Sequence, residues 1–260
     1  MNIIHAIIFG IVEGITEFLP ISSTAHLDIT RSILGIIDTP FVKSFEITIQ
    51  LGAILAIVVL YFKKIFSSFK YFKNIVIAFI PTAIIGFLLY KIIKNVFLGN
   101  TLLEAMMLLL GGIIILCVEK KRKFNSSDEN GKNIENLSNK ELITLGLAQS
   151  LAVIPGVSRS GAVIVAGRLM KISPVIITEF SFLLAIPTML AATLYDLLKS
   201  GFYFSKDDWS MLFVGFITSF IIALFIVKSL LNYIRTHSFS IFGWYRITLG
   251  LIVIFTLLFI

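Results

Sequence analysis

Charge is scarce in this chain: 14% of its 260 residues are Asp, Glu, Lys or Arg, against 57% that are apolar. The apolar residues run in long blocks, which excludes an ordinary soluble globular class. Cysteine is nearly absent. The single Cys117 excludes an intrachain disulfide and a cysteine-based metal site, and inside an apolar span it reads as a small buried hydrophobe. The N-terminus lacks a basic stretch ahead of its apolar run, so no cleaved signal peptide is expected. No base-stacking platform accompanies the net charge of +7, which argues against nucleic acid. The basic residues fall instead in short loops: Lys63, Lys64, Lys70 and Lys73, then Lys120, Lys121, Arg122 and Lys123, then Lys228 and Arg235. That is the positive-inside pattern of a polytopic membrane protein.

What is present is a set of apolar stretches near the roughly 20 residues a membrane helix needs. They predict spans at 46–62, 75–92, 101–118, 175–198, 210–230 and 241–260. The polar stretch 119–140 divides the chain into halves 1–118 and 141–260 and reads as a solvated cytoplasmic linker. The halves resemble each other weakly. Gly10 and Glu13 match Gly146 and Gln149; Pro20 before Ser22 and Ser23 matches Pro155 before Ser158 to Ser160; Glu46 matches Glu179. With loop 63–74 inside, three crossings per half place the polar segments 1–45 and 141–172 on opposite faces. Each then enters as a re-entrant hairpin. The expected fold is an all-α integral membrane bundle of two inverted repeats, each a hairpin plus about three transmembrane helices, forming one domain.

Two polar clusters carry the chemistry. In GIVEGITEFLPISSTAH (10–26), Glu13 and Glu17 lie on one helical face at i,i+4. Carboxylates that close repel, so one takes a proton or a cation sits between them, and oxygen ligands suit Mg²⁺ or Ca²⁺. The bland alternative is a helix-end acid in the headgroup region. Pro20 breaks the helix, and Ser22, Ser23 and Thr24 follow it; capping suits Ser22 as well as chemistry does. His26, at i+3 from Ser23, could bring its imidazole to the hydroxyl as base, or act as nucleophile itself. In IPGVSRSGA (154–162), a Pro155–Gly156 turn, the Ser158 and Ser160 hydroxyls and the Arg159 fork together make a phosphate nest. A structural arginine paired with a glutamate is the alternative. Glu46, Gln50, Gln149 and Glu179 are single polar groups in apolar sequence. Each serves either helix packing or support of the site. His5, His237, Trp209, Trp244 and Tyr245 read as interfacial or structural.

EGITEFLPISSTAH, SFEITIQLGAILA (44–56), IPGVSRSGA and EFSFLLAIP (179–187) together resemble the undecaprenyl-diphosphate phosphatase family of the bacitracin-resistance type. The likeness covers essentially the whole chain. It implies a multi-pass enzyme of the bacterial plasma membrane that hydrolyses a polyprenyl diphosphate to monophosphate and phosphate with a divalent cation. Such an enzyme recycles the lipid carrier for cell-wall synthesis and confers bacitracin resistance. The site would open to the outer face, and a homodimer is compatible with the family. By this resemblance Glu13 and Glu17 are the acidic pair, Ser23 and His26 the candidates for nucleophile and partner, and Arg159 the phosphate-binding arginine. Val163 replaces the motif's terminal threonine, and Ala25 the usual glycine before the histidine. Neither change removes a charged site residue. The rival class is a lipid flippase, since inverted repeats with broken helices are also a transporter signature.

Overall fold

In the computed structural model, residues 1–92, 97, 99–121, 133–200 and 205–259 are described. The central part of the polar stretch 119–140, and parts of the loops at 91–100 and 199–208, lie outside them. The described residues form ten α-helices and no strand. They are α1 (Ile3–Thr16), α2 (Ser23–Ile33), α3 (Pro40–Ser67), α4 (Phe69–Ile92), α5 (Thr101–Lys121), α6 (Asn139–Ser150), α7 (Arg159–Leu169), α8 (Pro174–Ser200), α9 (Lys206–Ile234) and α10 (Ser240–Phe259).

Six of these, α3 to α5 and α8 to α10, are long and apolar enough to cross a membrane. They sit where the apolar blocks predict them, and two of them start at side-chain caps. The Thr39 hydroxyl accepts from the amide of Val42, with Pro40 in the first turn. Ser205 and Asp208 close a capping box at the start of α9. The surface is inverted relative to a water-soluble protein. Phe87, Phe213, Phe225 and Phe255 are exposed, whereas Glu13, Gln149, Ser160, Arg168 and Arg246 are buried. A surface of phenylalanines with charge inside suits hydrocarbon, so the chain is a multi-pass membrane protein. Cys117 departs from expectation: it lies on the exposed face of α5.

The other four helices form two short pairs, α1–α2 and α6–α7. They are broken at corresponding points. α1 stops before Pro20, and α2 begins after Ser22, whose φ is 72°. α6 runs through a 3₁₀ turn to Pro155, and α7 begins after Ser158, whose φ is 71°. Left-handed backbone at a serine is costly and persists where surrounding contacts hold it.

Packing also repeats. α1 lies on α9 as α6 lies on α4, while α5 meets α10 and α3 meets α8. Both short helices approach their partners at a glycine. A Cβ on Gly10 would meet the Gly215 carbonyl, and one on Gly146 would meet the Ala78 carbonyl. Small residues at such seams let backbones approach closely where no aqueous hydrophobic effect drives association. Edge-on packing of Phe18 against Phe182, with ring centroids 5.1 Å apart, fastens the first turn to α8.

Candidate active site

The two broken pairs meet. Beyond the C-terminus of α1, Glu17 projects toward the N-termini of α2 and α7. The Ser23 hydroxyl donates to Oε2 of Glu17 at 2.5 Å, and Nη2 of Arg159 donates to Oε1 at 3.0 Å. Nη1 of Arg159 donates to the Ser181 carbonyl at 2.9 Å, so α8 aims the guanidinium. Nε of Arg159 is buried with no acceptor. An unmade donor on a buried arginine is expensive, and an anion oxygen would satisfy it. The Ser160 hydroxyl donates to the Leu19 carbonyl at 2.9 Å, tying one turn to the other. Ser158 caps α7 by accepting from the Gly161 amide at 3.2 Å, whereas Ser22 makes no side-chain cap.

These groups face a cavity of about 220 Å³. Its wall includes Glu17, Ser22, Ser23, Thr24, Gln50, Gln149, Gly156, Ser158 and Arg159. Thr82 and Thr188 also line it, each directly after the proline inside its helix, Pro81 in α4 and Pro187 in α8. Gln149 joins them, its Nε2 donating to Thr82 at 3.0 Å and Thr188 at 2.9 Å. Both threonine hydroxyls spend their proton on helix carbonyls, of Gly146 and Leu184, which fixes the amide orientation.

Several sequence-selected residues stand off the cavity wall. Glu13 lies behind Glu17: its carboxyl faces that of Glu17, and both its oxygens are buried without a donor. Among the described residues no third acid, histidine or cysteine joins them in a metal-binding group. The imidazole of His26 does not turn to Ser23. Nδ1 meets the Ser22 carbonyl at 2.7 Å and Nε2 meets the Tyr245 hydroxyl at 2.7 Å, with the two rings stacked. A carbonyl only accepts, so Nδ1 carries the proton and, in the neutral ring, Nε2 accepts from tyrosine. The reach from His26 to Ser23 expected from i,i+3 spacing is therefore replaced by a hold on Ser22. Glu46 has a buried oxygen without a partner, and Glu179 pairs with Lys64 near the C-terminus of α3. Glu179 thus steadies the α3–α8 contact and not Arg159.

Four residues not selected from sequence stand here: Thr82, Thr188, Tyr245 and Arg246. Tyr245 is drawn to His26 and away from a purely interfacial role. Arg246 is fully buried in α10 and donates to the Pro20 and Gly156 carbonyls, one in each turn. An arginine in the last apolar span was the available signal.

The family described as Bacitracin resistance protein BacA matches residues 6–252. An undecaprenyl-diphosphatase of Aquifex aeolicus is 54% identical over 249 residues, covering 95% of this chain and 96% of that one. The protein of the same name from a Sulfurihydrogenibium species is 50% identical over 252 residues, covering 97% and 98%. That of Wolinella succinogenes is 47% identical over 262 residues, covering 99% of each.

Proposed function

The chain belongs to the Bacitracin resistance protein BacA family, and from that membership we propose that it hydrolyses undecaprenyl diphosphate to undecaprenyl phosphate and phosphate. The reaction recycles the lipid carrier for cell-wall synthesis, in the bacterial plasma membrane, and underlies bacitracin resistance. The observation that carries the reading is the chain Ser23–Glu17–Arg159: a hydroxyl on a carboxylate, and that carboxylate on an arginine with a spare buried donor.

Ser23 is the nucleophile and Glu17 its base. As Oγ bonds to the terminal phosphorus, Glu17 takes the hydroxyl proton, and the P–O bond to the lipid monophosphate breaks. The proton passes to the departing lipid phosphate. In the second half, Glu17 takes a proton from water as the water oxygen attacks phosphoserine. It returns that proton to Ser23 Oγ, and phosphate leaves. Arg159, Ser158 and the amides opening α2 and α7 hold the phosphoryl oxygens. Positioning and charge stabilisation do most of the work in such a transfer. His26 keeps the left-handed Ser22 in place and so aims Ser23.

A hard divalent cation fits this donor set. Mg²⁺ is commonly held by one or two carboxylates plus substrate phosphates and water. Glu13 has both oxygens free of donors, while Glu17 is engaged by Ser23 and Arg159. Glu13 would hold Mg²⁺ or Ca²⁺ beside Glu17, where such an ion would supply positive charge toward the diphosphate.

The halves are inverted repeats, and the short pairs are re-entrant hairpins. α1 and α6 have 14 and 12 residues. They reach about 20 Å at 1.5 Å per residue, short of a core of roughly 30 Å. The exchanged packing of α1 on α9 and α6 on α4 supports the repeat, and basic loops set the site to open outward. The test is phosphate release from undecaprenyl diphosphate by purified protein in detergent, where no two sides exist for transport. Release that requires Ser23 is the expected result. Tight lipid binding without release would replace the enzyme by a flippase.

A further inference from the structure

Arg246 takes no part in the chemistry above, yet all five of its N–H donors are matched by an acceptor. A guanidinium has five N–H donors. Here Nε donates to the Leu108 carbonyl at 3.3 Å. Nη1 donates to Pro20 at 3.1 Å and Val157 at 3.0 Å. Nη2 donates to Met107 at 3.0 Å and Gly156 at 2.9 Å. Every acceptor is a backbone carbonyl. Three belong to the two turns and two to α5. Turns at membrane depth leave carbonyls that no water can meet, so a fully buried donor set there serves all three elements at once. Room for it is made by Gly111 of α5, where a Cβ would meet Nη2 and Cζ of Arg246.

The acceptors lie just ahead of the reacting groups in sequence. Pro20 precedes Ser23, and Gly156 and Val157 precede Arg159. We propose that Arg246 is a positioning residue for the reaction: its planar fork sets the two turns at the spacing that lets Glu17 hold Ser23 and Arg159 together. The inference rests on the phosphatase reading. Lysine keeps the charge but offers a compact ammonium in place of the fork, and it cannot span carbonyls from three elements.

The experiment measures steady-state phosphate release from a polyprenyl diphosphate by full-length protein in detergent, below each variant's unfolding midpoint. Arg246→Lys is expected to lower kcat by about 10- to 100-fold, the scale of a misplacement near 1 Å, while KM stays near wild type. In a Glu17→Gln background the same change is expected to add little, because the contact it aligns is already gone. Gly111→Ala, which presses on the guanidinium from α5, is expected to lower kcat with KM steady. Gly86→Ala, whose Cβ meets nothing within 4 Å, is expected to leave both unchanged. The proposal is overturned if Arg246→Lys lowers only the unfolding midpoint, or raises KM alone, which would make the residue a fold brace or a charge attractor. It is equally overturned if Gly111→Ala keeps wild-type kcat, even where Arg246→Lys fails to fold. Wild-type protein that releases no phosphate would strike the phosphatase reading itself, a result distinct from any ranking of variants.

Discussion

Glu17 and Arg159, 142 residues apart in the chain, meet in an ion pair of 3.0 Å that is almost closed off from solvent. Each comes from a different broken helix pair, so the ion pair exists only because the two short pairs meet. Its remaining valences point at the chemistry: one Glu17 oxygen on Ser23, and the Arg159 Nε without an acceptor. The cost of burying either charge is lowered by the other.

The pair therefore acts as a unit. Glu17→Gln removes the proposed base and is expected to lower kcat by about 10²- to 10⁴-fold. Arg159→Lys removes the fork and costs a comparable factor. The double variant should cost far less than the product of the two, since either change already breaks the chain to Ser23. A double-mutant cycle on phosphate release checks this; additive losses would mean that the two residues act independently.

The covalent chemistry proposed at Ser23 would leave a mark. Acid quench during turnover should trap an acid-stable phosphoserine at Ser23, and Ser23→Ala should abolish both the label and turnover. Ser22→Ala should retain most activity, because the Ser22 side chain caps nothing and its carbonyl does the holding. A parallel alkaline quench that traps an acid-labile phosphohistidine, with no acid-stable label at Ser23, would assign attack to His26.

Tyr245 and His26 test the positioning claim. Tyr245→Phe deletes one hydrogen bond to Nε2 and leaves the stacking, so the expected loss in kcat is under about tenfold, the scale of one net hydrogen bond. His26→Phe also frees the Ser22 carbonyl and should cost more. If Tyr245→Phe matched His26→Phe, the imidazole would be working through its tyrosine and not through Ser22.

Much of this was legible in the chain because lipid makes polar residues conspicuous. The six spans follow from apolar length alone, and Glu17, Ser23 and Arg159 stood out as polar groups with no business in hydrocarbon. What the sequence could not convey was direction. Spacing of i,i+3 placed His26 and Ser23 on one face, but the left-handed Ser22 swings the start of α2. The imidazole then finds a carbonyl and Tyr245, which is 219 residues away. Glu179 matched Glu46 in register, yet its side chain goes to Lys64 of α3, while the Ser181 carbonyl two residues on takes Arg159. Arg246 was visible as an arginine in an apolar span; its partners, all backbone carbonyls, have no residue-type signature.

The cation proposal is tested by removal. A chelator should stop phosphate release, and Mg²⁺ or Ca²⁺ should restore it. Glu13→Gln keeps the size of the side chain but halves its oxygens and removes its charge. It should raise the half-saturating cation concentration while leaving the protein monodisperse. Activity that persists in excess chelator would mean that the buried acids share a proton instead.

The proposed equivalence of the two halves predicts matched costs at their glycine seams. A Cβ on Gly10 would press on the Gly215 carbonyl and Thr218, and one on Gly146 on the Ala78 carbonyl and Pro81. Backbone neighbours of this kind cannot rotate away, so overpacking of about 1–3 kcal/mol is expected for Gly10→Ala and Gly146→Ala. Helix propensity opposes this, since alanine gains up to about 1 kcal/mol over glycine in a helix interior. Gly86→Ala in α4 has that gain with no clash and should be neutral or stabilising. Thermal unfolding in detergent should then lower the midpoint for both seam variants and not for Gly86→Ala. A Gly146→Ala midpoint at or above that of Gly86→Ala would show that α6 does not bear on α4 as α1 bears on α9, and the repeat would lose its mechanical basis.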